Sequence, residues 1–373
     1  MSTAAATNLL RLSIRPQTSR RFDAGDRGAE ADTIHGSPDD AFLTYREGVT
    51  AMGSAGVPLL ERSAELPPLY RQALQALETL AMATSFDDLS PLPPEPQLAA
   101  RLGVSRGTLR RATDELAREG LLRIQAGRGT FVNKQTQIRR VVRSQLIDHV
   151  KPDSRFDLDI TQFVPDFDGS DECTRQTLEL DAVRDATTIF VAPDNSLIGL
   201  RRSLLLQGKR LLVPTFGGRR GMFLIDGSIG DPAALAGAAT LDGMEEHGRV
   251  LELRELRELG HVDVMVTGAV AVTSGGVHVG GGEGYLDLEW GILRELDLVD
   301  DDVPVIAVVH TTQFVDIPLD PKASDCLIDI VVTPAETVRL DHAAGKPSGL
   351  DREWIRHRRA AVSSYFQQLN TDR

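Results

Sequence analysis

Five short runs, residues 188–192, 210–214, 262–267, 303–309 and 328–333, are apolar at nearly every position instead of at alternate ones. A strand with one wet face alternates, whereas a strand covered on both faces does not, so these runs predict buried strands of a largely parallel sheet. Between them, residues 196–207 and 285–296 carry helical periodicity, and strands alternating with helices define an α/β layer architecture. Ligands of such sheets bind beyond the strand C-termini, which directs attention to the residues following each run. With 373 residues, 41% of them hydrophobic, the chain can bury more than one core, and two domains are expected.

The second domain announces itself by charge. Residues 70–143 hold 12 Lys/Arg against 7 Asp/Glu, a local excess of +5 in a chain whose total is −13. A basic module on an acidic body has the electrostatic footprint of nucleic-acid binding, because phosphate neutralisation supplies most nonspecific affinity. The local pattern agrees. A helix starts near Tyr70 and stops in the breakers at 87–94; residues 94–102 form a short helix, Gly103-Val104 a tight turn, and Ser105 an N-cap for a helix ending at Gly120. In that helix Leu109, Ala112 and Leu116 face a core, so Arg106 and Arg110 project elsewhere. Residues 121–125 and 129–132 then alternate as a hairpin around Ala126-Gly127-Arg128. Helix, turn, helix and basic hairpin make a winged helix-turn-helix that presents Ser105, Arg106, Thr108, Arg110 and Arg111 to a major groove and Arg128 to the minor groove or phosphates.

Residues 92–132, LPPEPQLAARLGVSRGTLRRATDELAREGLLRIQAGRGTFV, resemble the DNA-binding domain of the GntR family of bacterial regulators. The resemblance implies double-stranded DNA as partner and a homodimer matching paired half-sites. Two prolines depart from the family pattern: Pro94 stands where a capping Ser is usual, and Pro96 where a DNA-contacting Arg is common. Proline is tolerated in a helix's first turn, so the fold is expected to survive with one contact fewer.

The chemically loaded stretch is VTGAVAVTSGGVHVGGGEGYLDLEWGIL, residues 266–293. A hairpin turning at Ser274-Gly275-Gly276 feeds the loop 280–284, which opens into a helix. Glycines let backbone approach a ligand closely, and helix N-terminal amides favour anions. A phosphate cradle and a tight structural turn remain equally consistent with the loop alone. In context, residues 140–340 resemble the 5-formyltetrahydrofolate cyclo-ligase family, through Thr267-Gly268, the glycine loop with Tyr285-Leu286-Asp287, Gln313-Phe314-Val315 and residues 329–333. That resemblance implies a Rossmann-like α/β domain of the NagB/RpiA/CoA-transferase-like type, using ATP and Mg²⁺ to phosphorylate the formyl oxygen of 5-formyltetrahydrofolate before ring closure. It further implies that Gly280, Gly282 and Gly284 hold phosphates, that Tyr285 lines the ligand, and that Asp287 meets the metal together with Asp329. Leu286 replaces a second Tyr, Gly281 a phosphate-binding Arg and Leu288 an Arg, while Glu283 adds a negative charge, so weak ATP binding and little turnover are expected.

These readings divide the chain into a disordered extension 1–66, a winged helix 67–134, a linker helix 135–150, the cyclo-ligase-like domain 151–342 and a C-terminal helix and tail 343–373. The expected function is a transcriptional regulator sensing a folate or nucleotide, with an active ATP-dependent cyclo-ligase bearing a DNA-binding module as the alternative. No run of 18 apolar residues and no leader is visible, and the two cysteines, Cys173 and Cys326, lack metal-ligand spacing. A reduced cytoplasmic setting without membrane contact is expected, with both thiols in cores. His278 and His310 read as isolated histidines, residues 354–359 (WIRHRR) as a solvated helix face, and the acidic triplet 300–302 as a turn.

Overall fold

The computed structural model describes residues 60, 67–153, 159–161, 163–215, 219–227, 231–342, 344–357 and 363–371. The expected disordered extension, apart from residue 60, lies outside the described residues. The chain divides into two compact units, the first ending at Gln137 and the second running from Ile138.

In the first unit, α1 (Leu69–Ala83), α2 (Glu95–Leu102) and α3 (Arg106–Arg118) pack around a small core, followed by strands β1 (Leu122–Gln125) and β2 (Gly129–Val132). Sequence chemistry sets each boundary. Gly103 ends α2 with φ 67, a left-handed conformation that costs glycine little. Ser105 starts α3, its Oγ accepting from the Thr108 amide at 3.1 Å. Leu109, Ala112 and Leu116 are buried as a stripe against Leu77, Leu98, Leu102 and Leu121. The hairpin pairs Leu122 with Val132 and Gln125 with Gly129, and the Leu92 amide donates to Thr130 O at 2.7 Å, tying the chain before α2 onto it.

Helix α4 (Lys134–Leu146) follows directly, and the division between the two units falls within it. The second unit then continues with α5 (Ser170–Glu179), α6 (Asp181–Arg184), β3 (Thr188–Val191), α7 (Ile198–Leu206), β4 (Arg210–Pro214), β5 (Met222–Asp226), α8 (Pro232–Ala238), α9 (Leu241–His247), β6 (Arg249–Val250) and α10 (Leu253–Arg257). After these come β7 (Val264–Thr267), β8 (Ala271–Thr273), β9 (His278–Val279), α11 (Tyr285–Glu295), β10 (Val305–Val308), β11 (Phe314–Val315), β12 (Ile330–Val332), β13 (Thr337–Arg339), α12 (Arg352–Arg356) and α13 (Ser364–Thr371). All five apolar runs became strands, and they are mutual neighbours. The main sheet has the order β13-β12-β10-β7-β3-β4-β5-β6, parallel from β12 through β4. Antiparallel β13, β5 and β6 extend its edges, and β11-β8-β9 form a separate small sheet. The sheet is therefore mixed, with the predicted parallel part as its centre.

The C-terminal segment corrects one expectation. Ile355 is buried and Trp354 packs against the core, so this face of α12 is not solvated; Arg356 and His357 are exposed, and residues 358–359 lie outside the described residues. The segment beyond it is anchored by Tyr365, whose buried hydroxyl donates to Leu251 O at 2.6 Å and accepts from the Met222 amide at 3.1 Å. Tyr365→Phe leaves a carbonyl and an amide buried without that partner. We expect a loss of about 1–3 kcal/mol from the second unit, read as a lower urea midpoint with an unchanged slope.

Candidate functional site

Helix α3 presents the predicted DNA-facing residues at its N-terminal end, but not equivalently. Ser105 Oγ lies 2.8 Å from Thr108 Oγ1, so both hydroxyls belong to the cap. Arg106, the first residue of the helix, is exposed and has no ion pair among the described residues. Arg110 is forked onto Glu95, with Nη2 to Oε1 at 2.9 Å and Nε to Oε2 at 3.2 Å. An exposed pair of this kind adds little stability, yet it fixes the direction of the guanidinium. Arg111 lies 4.0 Å above the Tyr70 ring centroid, spent on α1. Arg128 is exposed at the hairpin tip.

In the second unit the chain leaves β3 toward β4 on one side and returns through β7 on the other, so the strand order reverses between β3 and β7. Ligand crevices of open α/β sheets form at such a point, beyond the strand C-termini. Here Asp194, just past β3, accepts from the Gly268 amide, just past β7, at 2.9 Å. A Cβ on Gly268 would sit 2.8 Å from Asp194 Oδ2, so a larger residue here would push that carboxylate away. His278 Nε2 meets Gly268 O at 3.0 Å, the geometry of an imidazole N–H donating to a carbonyl. Burial holds the His278 imidazole down at about 4, and burial raises the Asp194 carboxyl against the pull of the Gly268 amide and Arg201. Both side chains nevertheless keep partial solvent contact. Groups hemmed in by protein yet still touched by solvent mark this edge of the sheet as the candidate recess.

Glu289 lies deeper, 7% exposed on α11. Burial raises its carboxyl well above the ordinary range, reinforced by the like charges of Asp194 and Asp287. At the other flank, Arg139 of α4 donates from Nε to Gly280 O at 2.6 Å, and its guanidinium lies 3.5 Å from where a Gly282 Cβ would stand. Gly284, with φ 76, caps α11, and the Trp354 ring lies 2.2 Å from where its Cβ would be. Thus Gly280, Gly282 and Gly284 do form one loop, flanked by Arg139 and Trp354. Tyr285 is half-buried against the core.

The two candidate metal ligands are used separately. Asp287 Oδ1 accepts from the Cys326 amide at 2.8 Å. Asp329 precedes β12, accepts from the Val305 amide at 2.6 Å, and is paired with Lys346 at 2.7 Å and His342 at 3.2 Å. Because β10 and β12 are parallel and Val305 opens β10, Asp329 sits at the N-terminal edge of the sheet, opposite the crevice. Among the described residues no three His, Cys, Asp or Glu are grouped to hold a metal ion. Both cysteines are buried and free, as expected. His310 is not isolated; its ring stacks on His149 at 4.4 Å and caps residues 311–313.

Sequence reasoning missed Arg139, Asp194, Glu289 and Trp354. The available signals were an acid directly after a buried strand and an acid within an otherwise apolar helix face, Leu286, Leu288, Trp290 and Ile292.

A winged helix followed by a mixed α/β unit with a glycine loop at the start of α11 defines a two-part class: a helix-turn-helix regulator module on an α/β domain. The comparisons agree with both parts. The 5-formyltetrahydrofolate cyclo-ligase family model matches residues 132–334, more than half the chain, and the chain belongs to that family. The model for bacterial regulatory proteins of the gntR family matches residues 69–132. The chain is similar to a human methenyltetrahydrofolate synthase domain-containing protein, 33% identical over 193 residues, which are 50% of this chain and 49% of that one. It is also similar to the HTH-type transcriptional repressor NagR of Bacillus subtilis, 42% identical over 67 residues, 18% of this chain and 28% of NagR. The matched part thus spans about half the human relative and a smaller share of the repressor. Among solved structures, 5,10-methenyltetrahydrofolate synthetase of Aquifex aeolicus aligns with TM-score 0.35 and 18% identity, over 56% of this chain and 94% of that one. No described helix is long and apolar enough to cross a membrane.

The recess makes a pH prediction. His278 has its folded value lowered from 6.5 to about 4, so its neutral form stabilises the fold fully above pH 6.5, and that contribution is lost as pH falls toward 4. The loss should reach roughly 2–3 kcal/mol, given 1.36 kcal/mol per pH unit. Denaturation at a series of pH values should show His278→Gln flattening this slope.

Proposed function

We propose that the chain is a DNA-binding transcriptional regulator whose cyclo-ligase-like domain senses a folate or nucleotide ligand. In this reading residues 67–134 bind double-stranded DNA, residues 135–150 link, residues 151–342 bind the ligand, and residues 343–373 close the domain. The observation that carries it is a contrast between the two units. Helix α3 keeps its cap and an exposed Arg106, whereas Leu286 and Leu288, at the positions where a family enzyme has Tyr and Arg, are 3% and 1% exposed. Core leucines cannot orient a phosphoryl group, and losing one transition-state contact commonly costs about a hundredfold or more in rate.

Arg106 reads base edges, Ser105 and Thr108 hold the helix start against the backbone, Arg110 reaches the groove in the direction Glu95 sets, and Arg128 enters the minor groove or meets phosphates. Arg111 contributes charge from its place on Tyr70. A homodimer engages two half-sites, in the reducing cytoplasm that buried free thiols suit.

For the ligand domain, the donor set fits a phosphoryl group better than a metal. Arg139 places a guanidinium on the glycine loop, supplying the cation the loop itself lacks, and Gly280, Gly282 and Gly284 leave backbone accessible. ATP is the nucleotide that membership of the cyclo-ligase family suggests, and Asp287, in the first turn of α11 after the glycine loop, would meet a Mg²⁺ carried by it. Asp329, paired with Lys346 at the opposite edge, takes no part.

Fluorescence anisotropy with a duplex selected from a random library on the full chain tests the regulator. At fixed salt, Arg106→Ala should weaken the selected site by about 1–3 kcal/mol, and Arg111→Ala by much less. Unchanged affinity in Arg106→Ala would remove α3 from recognition. In parallel, 5-formyltetrahydrofolate, ATP and Mg²⁺ should give little methenyltetrahydrofolate absorbance. Robust turnover abolished by Asp287→Ala would establish the enzyme instead.

A further inference from the structure

We propose that the stacked rings of His149 and His310 form a proton-sensitive latch: neutral, the pair joins the segment after α4 to the loop after β10, and doubly protonated it releases the turn 311–313. The inference stands apart from the regulator and enzyme readings, since it uses neither the DNA-facing residues nor the glycine loop.

The geometry comes first. His149 ends the short turn Ile147–His149 that follows α4, and His310 follows β10. The two rings lie 4.4 Å apart at 24° to each other, and Phe167 meets His310 edge-on at 5.7 Å. Backbone holds this contact in place. The Asp168 amide donates to His149 O at 2.9 Å, the Lys151 amide donates to Asp166 O at 2.9 Å, and Val150 bridges Phe167 between them. Rings stacked face to face send their nitrogens along parallel planes, and among the described residues no three His, Cys, Asp or Glu are grouped to hold a metal ion. A neutral pair suits this arrangement, whereas two imidazolium ions at such a separation repel.

His310 has a second reason to stay neutral. Its Nδ1 accepts from the Thr312 amide at 3.3 Å and lies 3.0 Å from Thr312 Oγ1. A proton on Nδ1 keeps only the hydroxyl and turns an N–H toward the amide it had capped. The same turn is held by the His310 amide, which donates to Gln313 Oε1 at 2.7 Å. Gln313 is 1% exposed and donates from Nε2 to Ala269 O at 2.6 Å, so loosening the turn reaches the chain entering β8. The charged groups on these segments are Asp168, which favours a proton on His310, Asp166, paired with Lys151 at 3.0 Å, and Asp148, next to His149. Burial first, and then the charge of His149, outweigh Asp168 and lower the His310 imidazole from 6.5. The neutral pair therefore holds the turn in full above pH 6.5, and that hold is lost as pH falls through the lowered value. Both rings keep partial solvent contact, so protons reach them without unfolding.

Histidine-selective ¹³Cε1 labelling and amide exchange on the full chain test the latch between about pH 8 and about pH 5, where histidine charge ordinarily changes. We expect His149 and His310 to titrate as a coupled pair, with the second step below pH 6.5. Across that step the Thr312 and Gln313 amides, corrected for intrinsic pH dependence, should exchange roughly tenfold faster or more. His278, lowered to about 4, titrates outside this window. His149→Phe keeps a flat ring without a charge, and should move both the His310 titration and the opening of the turn to higher pH. His310→Asn can cap the same amide without titrating, and should keep Thr312 protected throughout. Uncoupled titrations, a His310 midpoint at or above 6.5, constant protection in the wild type, or an equal acid loss in folded His310→Asn would each overturn the proposal. Should a variant fail to fold, the wild-type titration and exchange still decide.

Discussion

The Asp194 carboxylate holds the Gly268 amide across the point where the strand order turns, and much of the second unit is arranged around that bond. It closes the ends of β3 and β7 on each other, which requires a residue without Cβ at 268 and an acid that tolerates burial at 194. Once Gly268 is fixed, its carbonyl receives His278, and His278 in turn stands 3.0 Å from where a Gly280 Cβ would lie, next to the carbonyl that Arg139 holds. A single contact at the sheet's C-terminal edge thus propagates through the small hairpin to the glycine loop. The cost of the buried acid is met in part by the amide and by Arg201.

The same chain handles charge oppositely in its two units. In the winged helix, cations stand on the surface, and two of them are held by partners close in space: Arg110 by Glu95, Arg111 by the Tyr70 ring. Each partner removes conformational freedom from a long side chain and leaves Arg106 the freest cation at the start of α3. In the second unit two carboxyls, Asp194 and Glu289, are drawn inward, and burial raises both. Surface cations suit a polyanion whose affinity falls with salt.

The winged helix was legible in the sequence almost to the residue, because its determinants are local. A Ser cap at 105, a left-handed Gly at 103 and a stripe of Leu109, Ala112 and Leu116 act within one or two turns, and local interactions print directly into spacing. The five central strands were legible for a related reason, since burial on both faces leaves runs without alternation. Antiparallel β5, β6 and β13 were not read. Two of them are only two or three residues long, and β6 finds its partner in another part of the chain, Phe223 with Val250.

The site was legible where it depends on glycine and opaque where it depends on distance. Gly280, Gly282 and Gly284 were found because backbone freedom is a property of the residue itself. Arg139 and Trp354 were not, because each reaches the loop from far away in sequence, 141 positions in the case of Arg139 and Gly280. Asp329 shows the converse hazard: an acid beside a buried strand looks functional, yet parallel strands have two ends, and only the fold tells which end a residue occupies. Asp194 follows its strand and lies at the crevice, whereas Asp329 precedes its strand and is neutralised by Lys346 on the opposite edge. Position relative to strand direction, more than the presence of a carboxylate, separates an acid that can meet a ligand from one that ties the fold together.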